Sequence, residues 1–226
     1  MMPETAPPRP IRPAATVVLL RHGAGGPQVL MGQRGSAAAF LPSKYVFPGG
    51  AVEEGDAAVA LAGPLPAVCA ARLAGAVPGP ETLAAAAIRE LFEETGLALG
   101  RPGAWPGAAP AGWQDFAARG LLPVADGMHF LFRAITPPGR PRRFDARFFL
   151  VDAAAVAGDL DDFSVASDEL SHLHWIGLSE ARALDLPFIT EVVLAEVGGW
   201  LRDGPSVAGV PFFDNSGAEP RFRRLL

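Results

Sequence analysis

The sequence predicts an α/β fold, on three observations. Two apolar segments, 15–20 and 28–33, flank a glycine-rich stretch and predict an opening β-hairpin. Two further segments of strand character, 128–135 and 143–151, follow later in the chain. A helical segment precedes these strands and a second one, 186–201, follows them. Strands that alternate with helices in this way predict helices packed on a sheet.

Length and composition indicate one folded domain. The chain has 226 residues and a mass of 23.5 kDa, enough for one well-buried core with additions. Residues 1–13 contain five prolines and are expected to form a loose or extended arm. We therefore expect a single domain over residues 14–226.

Charge, hydropathy and cysteine content argue against several classes of protein. The net charge of −5 and the isoelectric point near 5.4 give no general reason to expect nucleic-acid binding. No uninterrupted apolar run approaches the ~18 residues of a membrane helix, and no secretory signal is evident. Cys69 is the single cysteine, which excludes an intramolecular disulfide and fits a reducing compartment. The expected location is the cytoplasm.

The segment that follows Gly79 has the start and stop signals of a helix. Pro80 suits the first helical turn because its missing N–H would be unpaired there, and Glu81 complements the positive end of the helix dipole. Gly96 is a natural left-handed stop. The sequence therefore predicts a helix from Pro80 to the residue before Gly96.

One face of this helix concentrates negative charge. Glu90, Glu93 and Glu94 fall within roughly 100° of one another around the helix axis. Carboxylates at this spacing repel each other, so a positive group should compensate. Arg89, four residues before Glu93, can pair with one of them, and a hard cation such as Mg²⁺ suits the others. The alternative is an ordinary solvated charged face.

The wider pattern has a family resemblance. Gly50 is followed by Glu81 and then, after seven residues, by Arg89-Glu90-Leu91, Glu93-Glu94 and Gly96-Leu97. The part of this pattern from Glu81 onwards resembles the Nudix box at every fixed position. The family has only a short spacer between the glycine and the first glutamate, whereas residues 51–80 make thirty here.

An insertion at this point resembles the subgroup of the family that has an interrupted Nudix box and includes the peroxisomal coenzyme A diphosphatase. Arg34, Phe40, Pro42 and the sequence Val-Phe-Pro-Gly-Gly that ends at Gly50 are similar to the same subgroup. These residues lie before the helix and make a second match.

The resemblance implies a fold and a set of roles. The fold is a Nudix-type α/β/α sandwich with a mixed sheet and helical insertions. Glu90, Glu93 and Glu94 would bind Mg²⁺ or Mn²⁺, and Arg89 would orient a carboxylate. A glutamate outside the box often serves as base or extra ligand; Glu169 and Asp168 are the candidates here, and Glu169 is preferred. The catalytic residues implied are thus Arg89, Glu93 and Glu169.

The implied activity is hydrolysis of a nucleoside diphosphate linked to another moiety. Coenzyme A or acyl-coenzyme A is the leading substrate, and ADP-ribose or NADH is an alternative. A catalytically silent domain that binds a nucleotide as a regulator is a further alternative. Family members are often dimers, so a homodimer is expected, with neither a nucleic acid nor a membrane as partner.

Two groups of residues are candidates for substrate binding. Gly49 and Gly50 let backbone approach an anion, and Arg34 can meet a phosphate with its planar guanidinium. Alternation along the strand 143–151 puts Arg143 and Arg147 on one face, around Asp145. This face suits a phosphate, and the alternative is a cross-strand ladder of ion pairs.

The insertion within the box is expected to contain helical pieces at 58–62 and 67–74. Its acidic residues Glu53, Glu54 and Asp56 are expected to be solvated loop charges, with outer metal ligands as the alternative.

A second insertion is expected at about 100–127. Residues 113–119 suit a short helix within it, and the aromatic side chains of Trp105, Trp113 and Phe116 either line a substrate pocket or pack on the core.

Overall fold

The structure, a computed structural model, describes residues 10–217 and 219–226. The strands are β1 (Ile11–Gly23), β2 (Gly26–Arg34), β3 (Tyr45–Val46), β4 (Gly49–Ala51), β5 (Gly100–Pro102), β6 (Leu121–Pro123), β7 (His129–Ile135), β8 (Arg143–Asp152), β9 (Leu170–Gly177), β10 (Val210–Asp214) and β11 (Arg221–Leu225). The helices are α1 (Ala67–Arg72), α2 (Pro80–Thr95), α3 (Gln114–Ala118), α4 (Leu178–Ala181) and α5 (Phe188–Asp203). Short 3-10 turns lie at Glu54–Ala58 and Ala153–Ala155.

The strands form a large mixed sheet and a small ribbon. The order in the large sheet is β11-β10-β7-β8-β1-β2-β3, with β4 also paired to β1 and β9 to β2. Strand β1 runs parallel to β8, and β10 runs parallel to β7, whereas the other pairs are antiparallel. Strands β5 and β6 form the separate ribbon. The predicted mixed sheet is confirmed.

Helices cover both faces of the large sheet, and β1 has apolar side chains on both of these faces. Val17 and Leu19 pack with α2 in one core cluster, and Val18 and Leu20 pack with α5 in another. This alternation is the period of two that a strand buried on both faces requires. The predicted α/β/α sandwich is confirmed.

The main helix begins and ends where its sequence signals predict. Pro80 occupies the first turn of α2, and Gly96 adopts a left-handed conformation with φ of 79° just after the last helical residue. The opening hairpin also forms as predicted, with Gly23 paired to Gly26.

The predicted arm is wrong at its C-terminal end. Residues 1–9 of that arm lie outside the described residues, whereas Ile11 to Pro13 belong to β1 and pair with β8. Pro13 lacks an N–H, but its carbonyl oxygen accepts a hydrogen bond from the Val52 N–H at 3.0 Å. This strand therefore tolerates the proline.

The two insertions have short elements of their own. The prediction of a helical piece at 58–62 is wrong. Instead, the Ala62 N–H donates to the Pro123 carbonyl, and Gly63 forms a β-bridge with Val124. The second piece forms as α1. In the other insertion the predicted short helix forms as α3, one residue after Trp113.

The aromatic residues of the second insertion pack on the core. Trp113 and Phe116 are fully buried, and their rings lie 5.3 Å apart. Trp105 packs beside Trp113 and donates its indole N–H to the Leu121 carbonyl. Core packing, rather than a pocket lining, is what the structure supports.

Within residues 10–217 and 219–226, no helix has both the length and the apolar character that a membrane span needs.

Candidate functional site

A buried ion pair joins α2 to the insertion. The Arg89 guanidinium donates from Nε to Asp56 Oδ1 at 2.8 Å and from one terminal nitrogen to Asp56 Oδ2 at 3.1 Å. Both side chains are almost fully buried. Asp56 also accepts the Trp113 indole N–H at 3.1 Å and the Glu53 backbone N–H at 2.8 Å. Four donors thus satisfy this carboxylate, which a buried charge requires.

The remaining hydrogen bonds of Arg89 face the glutamates of its own helix and strand β4. One terminal nitrogen donates to Glu93 Oε2 at 2.8 Å and lies 3.1 Å from Glu90 Oε1. The other donates to the Ala51 carbonyl at 3.0 Å. Burial alone lowers the pKa of Arg89, but the hydrogen bonds to Asp56 and the surrounding carboxylates raise it overall. Arg89 is therefore a fixed positive charge, and the predicted pairing with Glu93 is confirmed.

Glu94 is held by the glycine turn that precedes the insertion. Its Oε2 accepts the Gly49 N–H at 2.7 Å, and the side chain is buried. Burial raises the pKa of Glu94 well above its usual value, and the nearby Glu90 charge adds to the effect. A Cβ on Gly49 would lie 2.6 Å from backbone atoms of β1, so no larger residue fits this approach.

Glu90 lies against the second glycine of the same turn. A Cβ on Gly50 would lie 2.5 Å from both carboxylate oxygens of Glu90. Burial and the Glu93 charge raise the pKa of Glu90, the Arg89 charge lowers it, and the net value is about 7. Gly49 and Gly50 thus bring backbone into direct contact with two glutamates of α2.

Glu93 is the most exposed of the three helix glutamates, with 39% of its side chain accessible. Burial raises its pKa, the Arg89 charge and hydrogen bond lower it, and Glu53 and Asp56 raise it. Glu53, from the first turn of the insertion, therefore lies within electrostatic range of Glu93. Of the three acidic residues expected to be solvated, Glu53 and Glu54 are exposed, but the expectation is wrong for Asp56.

A loop that precedes β9 brings Glu169 to the same region. The Ser167 N–H donates to the Glu93 carbonyl at 2.8 Å and ties the loop to the end of α2. The Glu169 carboxylate raises the pKa of Glu90 and of Glu94, although burial has the largest effect on both. The Glu169 side chain is exposed. An accessible carboxylate thus lies near the partly buried Glu90 and the buried Glu94.

Arg34 borders this cluster from the end of β2. It pairs in the sheet with Leu170, the residue after Glu169, and its Nε donates to the Phe40 carbonyl at 3.1 Å. Burial and the Glu90 charge raise the pKa of Glu94, whereas the Gly49 hydrogen bond and the Arg34 charge lower it. The structure thus brings Arg34, Gly49, Gly50 and Glu169 together with the helix glutamates.

Glu90 and Glu93 contact Arg89, whereas Glu94 contacts the backbone of Gly49. Among the described residues, no group of three or more His, Cys, Asp or Glu side chains is placed to hold a metal ion. The donor set nevertheless fits a hard divalent cation, since carboxylate oxygens are the preferred ligands of Mg²⁺ and Mn²⁺. Arg89 is already paired with Asp56, so it does not balance the charges of Glu90, Glu93 and Glu94.

The two arginines predicted from strand alternation lie elsewhere. Both are on β8, across β1 from Gly50. Arg143 donates to the carbonyl oxygens of Thr136 and Asn215, which supports a structural role for it. Arg147 pairs with Asp145, and Arg133 of β7 joins the same carboxylate. This is the cross-strand ladder that the sequence left open, although Arg147 is buried rather than solvated.

Sequence reasoning missed Asp56 as the partner of Arg89, and Trp113 as the donor that supports it. The ion pair spans 33 residues, and the Trp113 contact spans 57. The available signal was an arginine that lies within five residues of three glutamates on the same predicted helix. This signal does not identify a partner in a different segment.

Known proteins resemble this chain in sequence and in fold. No protein-family model matches it. It is 35% identical over 151 residues to the acyl-coenzyme A diphosphatase NUDT19 of Gallus gallus, covering 51% of this chain and 39% of that protein. It is 27% identical over 194 residues to nudix hydrolase 7 of Caenorhabditis elegans, itself a predicted member of its family, covering 76% of this chain and 57% of that protein. The chain thus spans less than two thirds of either curated relative.

A solved structure covers more of the chain. The crystal structure of a Nudix hydrolase from Alicyclobacillus acidocaldarius is 30% identical, with a TM-score of 0.64, and the match covers 82% of this chain and 90% of that one. The chain belongs to the Nudix hydrolase family.

Proposed function

We propose that this chain hydrolyses the diphosphate linkage of a nucleoside diphosphate joined to a second moiety, with coenzyme A or acyl-coenzyme A as the substrate. The observation that carries the proposal is the packing of Glu90 and Glu94 against Gly50 and Gly49, with Arg89 fixed beside them. Buried carboxylates against an open glycine backbone suit a reaction at a polyanion only when a cation is present.

Glu90, Glu93 and Glu94 are the proposed ligands of that cation, Mg²⁺ or Mn²⁺. When bound, a divalent cation neutralises the non-bridging phosphate oxygens and lowers the pKa of a water molecule. Glu90 and Glu93 each contact Arg89 through one carboxylate oxygen, so each keeps its second oxygen for the cation.

The other residues have roles that follow from their positions. Arg89, held by Asp56, orients the Glu93 carboxylate. Glu169 is exposed beside the buried glutamates and is the proposed base that accepts a proton from the attacking water. Arg34 and the backbone of Gly49 and Gly50 are the proposed contacts to the phosphates.

The choice of coenzyme A rests on two supports. The box is interrupted by an insertion, whose 3-10 turn contributes Asp56 to the site. The matched part of a 35% identical relative belongs to a protein named as an acyl-coenzyme A diphosphatase. The proposed reaction adds water across the diphosphate and yields a 4′-phosphopantetheine part and adenosine 3′,5′-bisphosphate.

Two further properties belong to the proposal. The single cysteine, Cys69, is a buried free thiol, which supports a reducing compartment, and we place the protein in the cytoplasm. The homodimer rests on the family resemblance alone.

A substrate panel tests the proposal. Coenzyme A, acetyl-coenzyme A, ADP-ribose, NADH and a nucleoside triphosphate are each incubated with the protein and Mg²⁺, and the products are identified by mass. Adenosine 3′,5′-bisphosphate released from coenzyme A at the highest kcat/KM of the panel is the expected result. Faster turnover of ADP-ribose or NADH would contradict the substrate, and binding of a nucleotide without turnover would contradict the reaction.

A further inference from the structure

Three charged side chains of the central strands form a compact cluster away from the glutamates. Arg133 of β7 binds both carboxylate oxygens of Asp145, from Nε at 2.8 Å and from a terminal nitrogen at 2.7 Å. Arg147 donates to the Asp145 carbonyl at 2.8 Å and lies 3.0 Å from its carboxylate. One carboxylate thus neutralises one of two guanidinium groups, and the cluster keeps a positive charge.

Arg147 has an unused hydrogen-bond donor. Its side chain is 2% exposed, and its Nε is buried without a hydrogen-bond partner. Buried polar groups in folded proteins almost always have a partner, so this nitrogen is an exception within the cluster. Because Nε has almost no accessible surface, Arg147 acts on the neighbouring cavity through its positive charge.

The same arginines line a cavity of about 260 Å³. The segment that links α1 to α2, including residues 73–77, forms another wall, and Arg72 at the end of α1 adds a third guanidinium. The lining side chains therefore include three arginines against one aspartate, a net charge of +2 (three minus one). The volume is below the range of cavities that hold drug-sized ligands, so a small dianion fits best.

We propose that this cavity binds a tetrahedral phosphate group, either as inorganic phosphate or as the phosphate of a small monoester. Arg147, Arg133 and Arg72 contribute the positive charge. The planar guanidinium fork matches the geometry of phosphate oxygens. The phosphate joins the insertion to strands β7 and β8.

This site is separate from the candidate catalytic site. Gly50 pairs with Ala15, Ala15 with Arg147, and Arg147 with Arg133, so these residues form one row across four strands. Neighbouring strands lie about 4.8 Å apart, which puts Arg147 roughly 10 Å from Gly50 along the row. Ala15, between them, is fully buried in the core cluster that contains the apolar side of α2. Helix α2 therefore lies between the two sites.

Isothermal titration calorimetry with the full chain in EDTA tests the proposal, with inorganic phosphate and ribose 5-phosphate as separate titrants and acetate as a control. The expected result is saturable binding of at least one phosphate titrant at one site per chain, and no binding of acetate. The titrant with the higher affinity identifies the source of the phosphate group.

Three variants locate the binding. Arg147→Met removes one of the three positive charges and is expected to weaken binding at least tenfold, whereas Arg72→Gln at the rim is expected to weaken it several-fold. Arg202→Gln, at an exposed position of α5 outside both sites, is expected to leave it unchanged. Arg72→Gln also keeps the test decisive if Arg147→Met does not fold, since Arg72 is only partly buried.

Hydrogen exchange gives an independent readout. Phosphate is expected to slow exchange over residues 73–77 in the wild-type protein and not in Arg72→Gln. The proposal is overturned if neither titrant binds. It is equally overturned if the Arg72 and Arg147 variants bind phosphate as tightly as the wild type.

Discussion

Arg89 donates two hydrogen bonds to Asp56, a residue of the insertion that interrupts the Nudix box. The insertion is therefore part of the site and not a surface addition to it. Because the same guanidinium contacts Glu93 and Glu90, it links these glutamates of α2 to a segment outside the usual motif.

Asp56 is expected to support both stability and activity. Asp56→Ala leaves the Arg89 guanidinium buried without its main partner, and loss of one partner of a buried pair costs roughly 3–5 kcal/mol of unfolding free energy. Urea denaturation measures this loss. The exposed neighbour Glu54 provides the control, and Glu54→Gln is expected to change stability by no more than about 0.5 kcal/mol. Equal losses in the two variants would refute the role of Asp56.

Gly49 and Gly50 are expected to respond differently to alanine. At Gly50 the new Cβ meets the end of the Glu90 side chain, so Gly50→Ala displaces a proposed ligand and lowers kcat/KM at least tenfold with a smaller loss of stability. At Gly49 the Cβ meets backbone atoms of β1, so Gly49→Ala destabilises the fold.

Gly25 is the control for both glycine substitutions, because a Cβ there meets nothing within 4 Å. Gly25→Ala is expected to retain wild-type melting temperature and activity. If Gly50→Ala also retained full activity, the contact with Glu90 would have no functional role.

The stability of the metal-free protein is expected to fall as pH rises from about 4.5 to about 7. Burial raises the pKa of Glu90 to about 7 in the folded state, from an ordinary value of 4.5. The folded state thus holds this proton more tightly than the unfolded state, and the stabilisation is complete below pH 4.5 and lost as pH passes 7. Melting temperatures in EDTA across this range check the trend.

Glu90→Gln removes this titration and is expected to flatten the pH dependence. Mg²⁺ is expected to raise the melting temperature of the wild type more at pH 8 than at pH 6. At pH 6 the cation must compete with the proton on Glu90, whereas at pH 8 this carboxylate is already ionised. A pH dependence that is identical in wild type and Glu90→Gln would assign the titration to another group.

Glu169 is expected to act in the reaction without supporting the fold. Glu169→Gln lowers kcat by about 10²–10⁴-fold if this carboxylate is the general base, with the melting temperature unchanged because the side chain is exposed. Asp168→Asn, one residue earlier and also exposed, is the matched control and keeps its activity. Similar kcat values for the two variants would leave Glu93 as the base.

The fold was predictable where local signals decide structure. Pro80 and Gly96 set the ends of α2, and the alternation of β1 set which residues face each helical layer. Asp56 was not predictable, because burial of a carboxylate in a glycine- and alanine-rich loop depends on an arginine 33 residues away. Arg147 was placed on the correct strand face, but its burial depends on the insertion that covers it.

The central claim is metal-dependent hydrolysis at the α2 glutamates. The most direct test is the rate of coenzyme A hydrolysis as Mg²⁺ is titrated, in wild type, Glu93→Gln and the control Glu191→Gln on the opposite face of the sheet. The account predicts no turnover in EDTA, saturable activation by Mg²⁺ in wild type and Glu191→Gln, and loss of activity in Glu93→Gln. Turnover in EDTA, or full activity in Glu93→Gln, would contradict it.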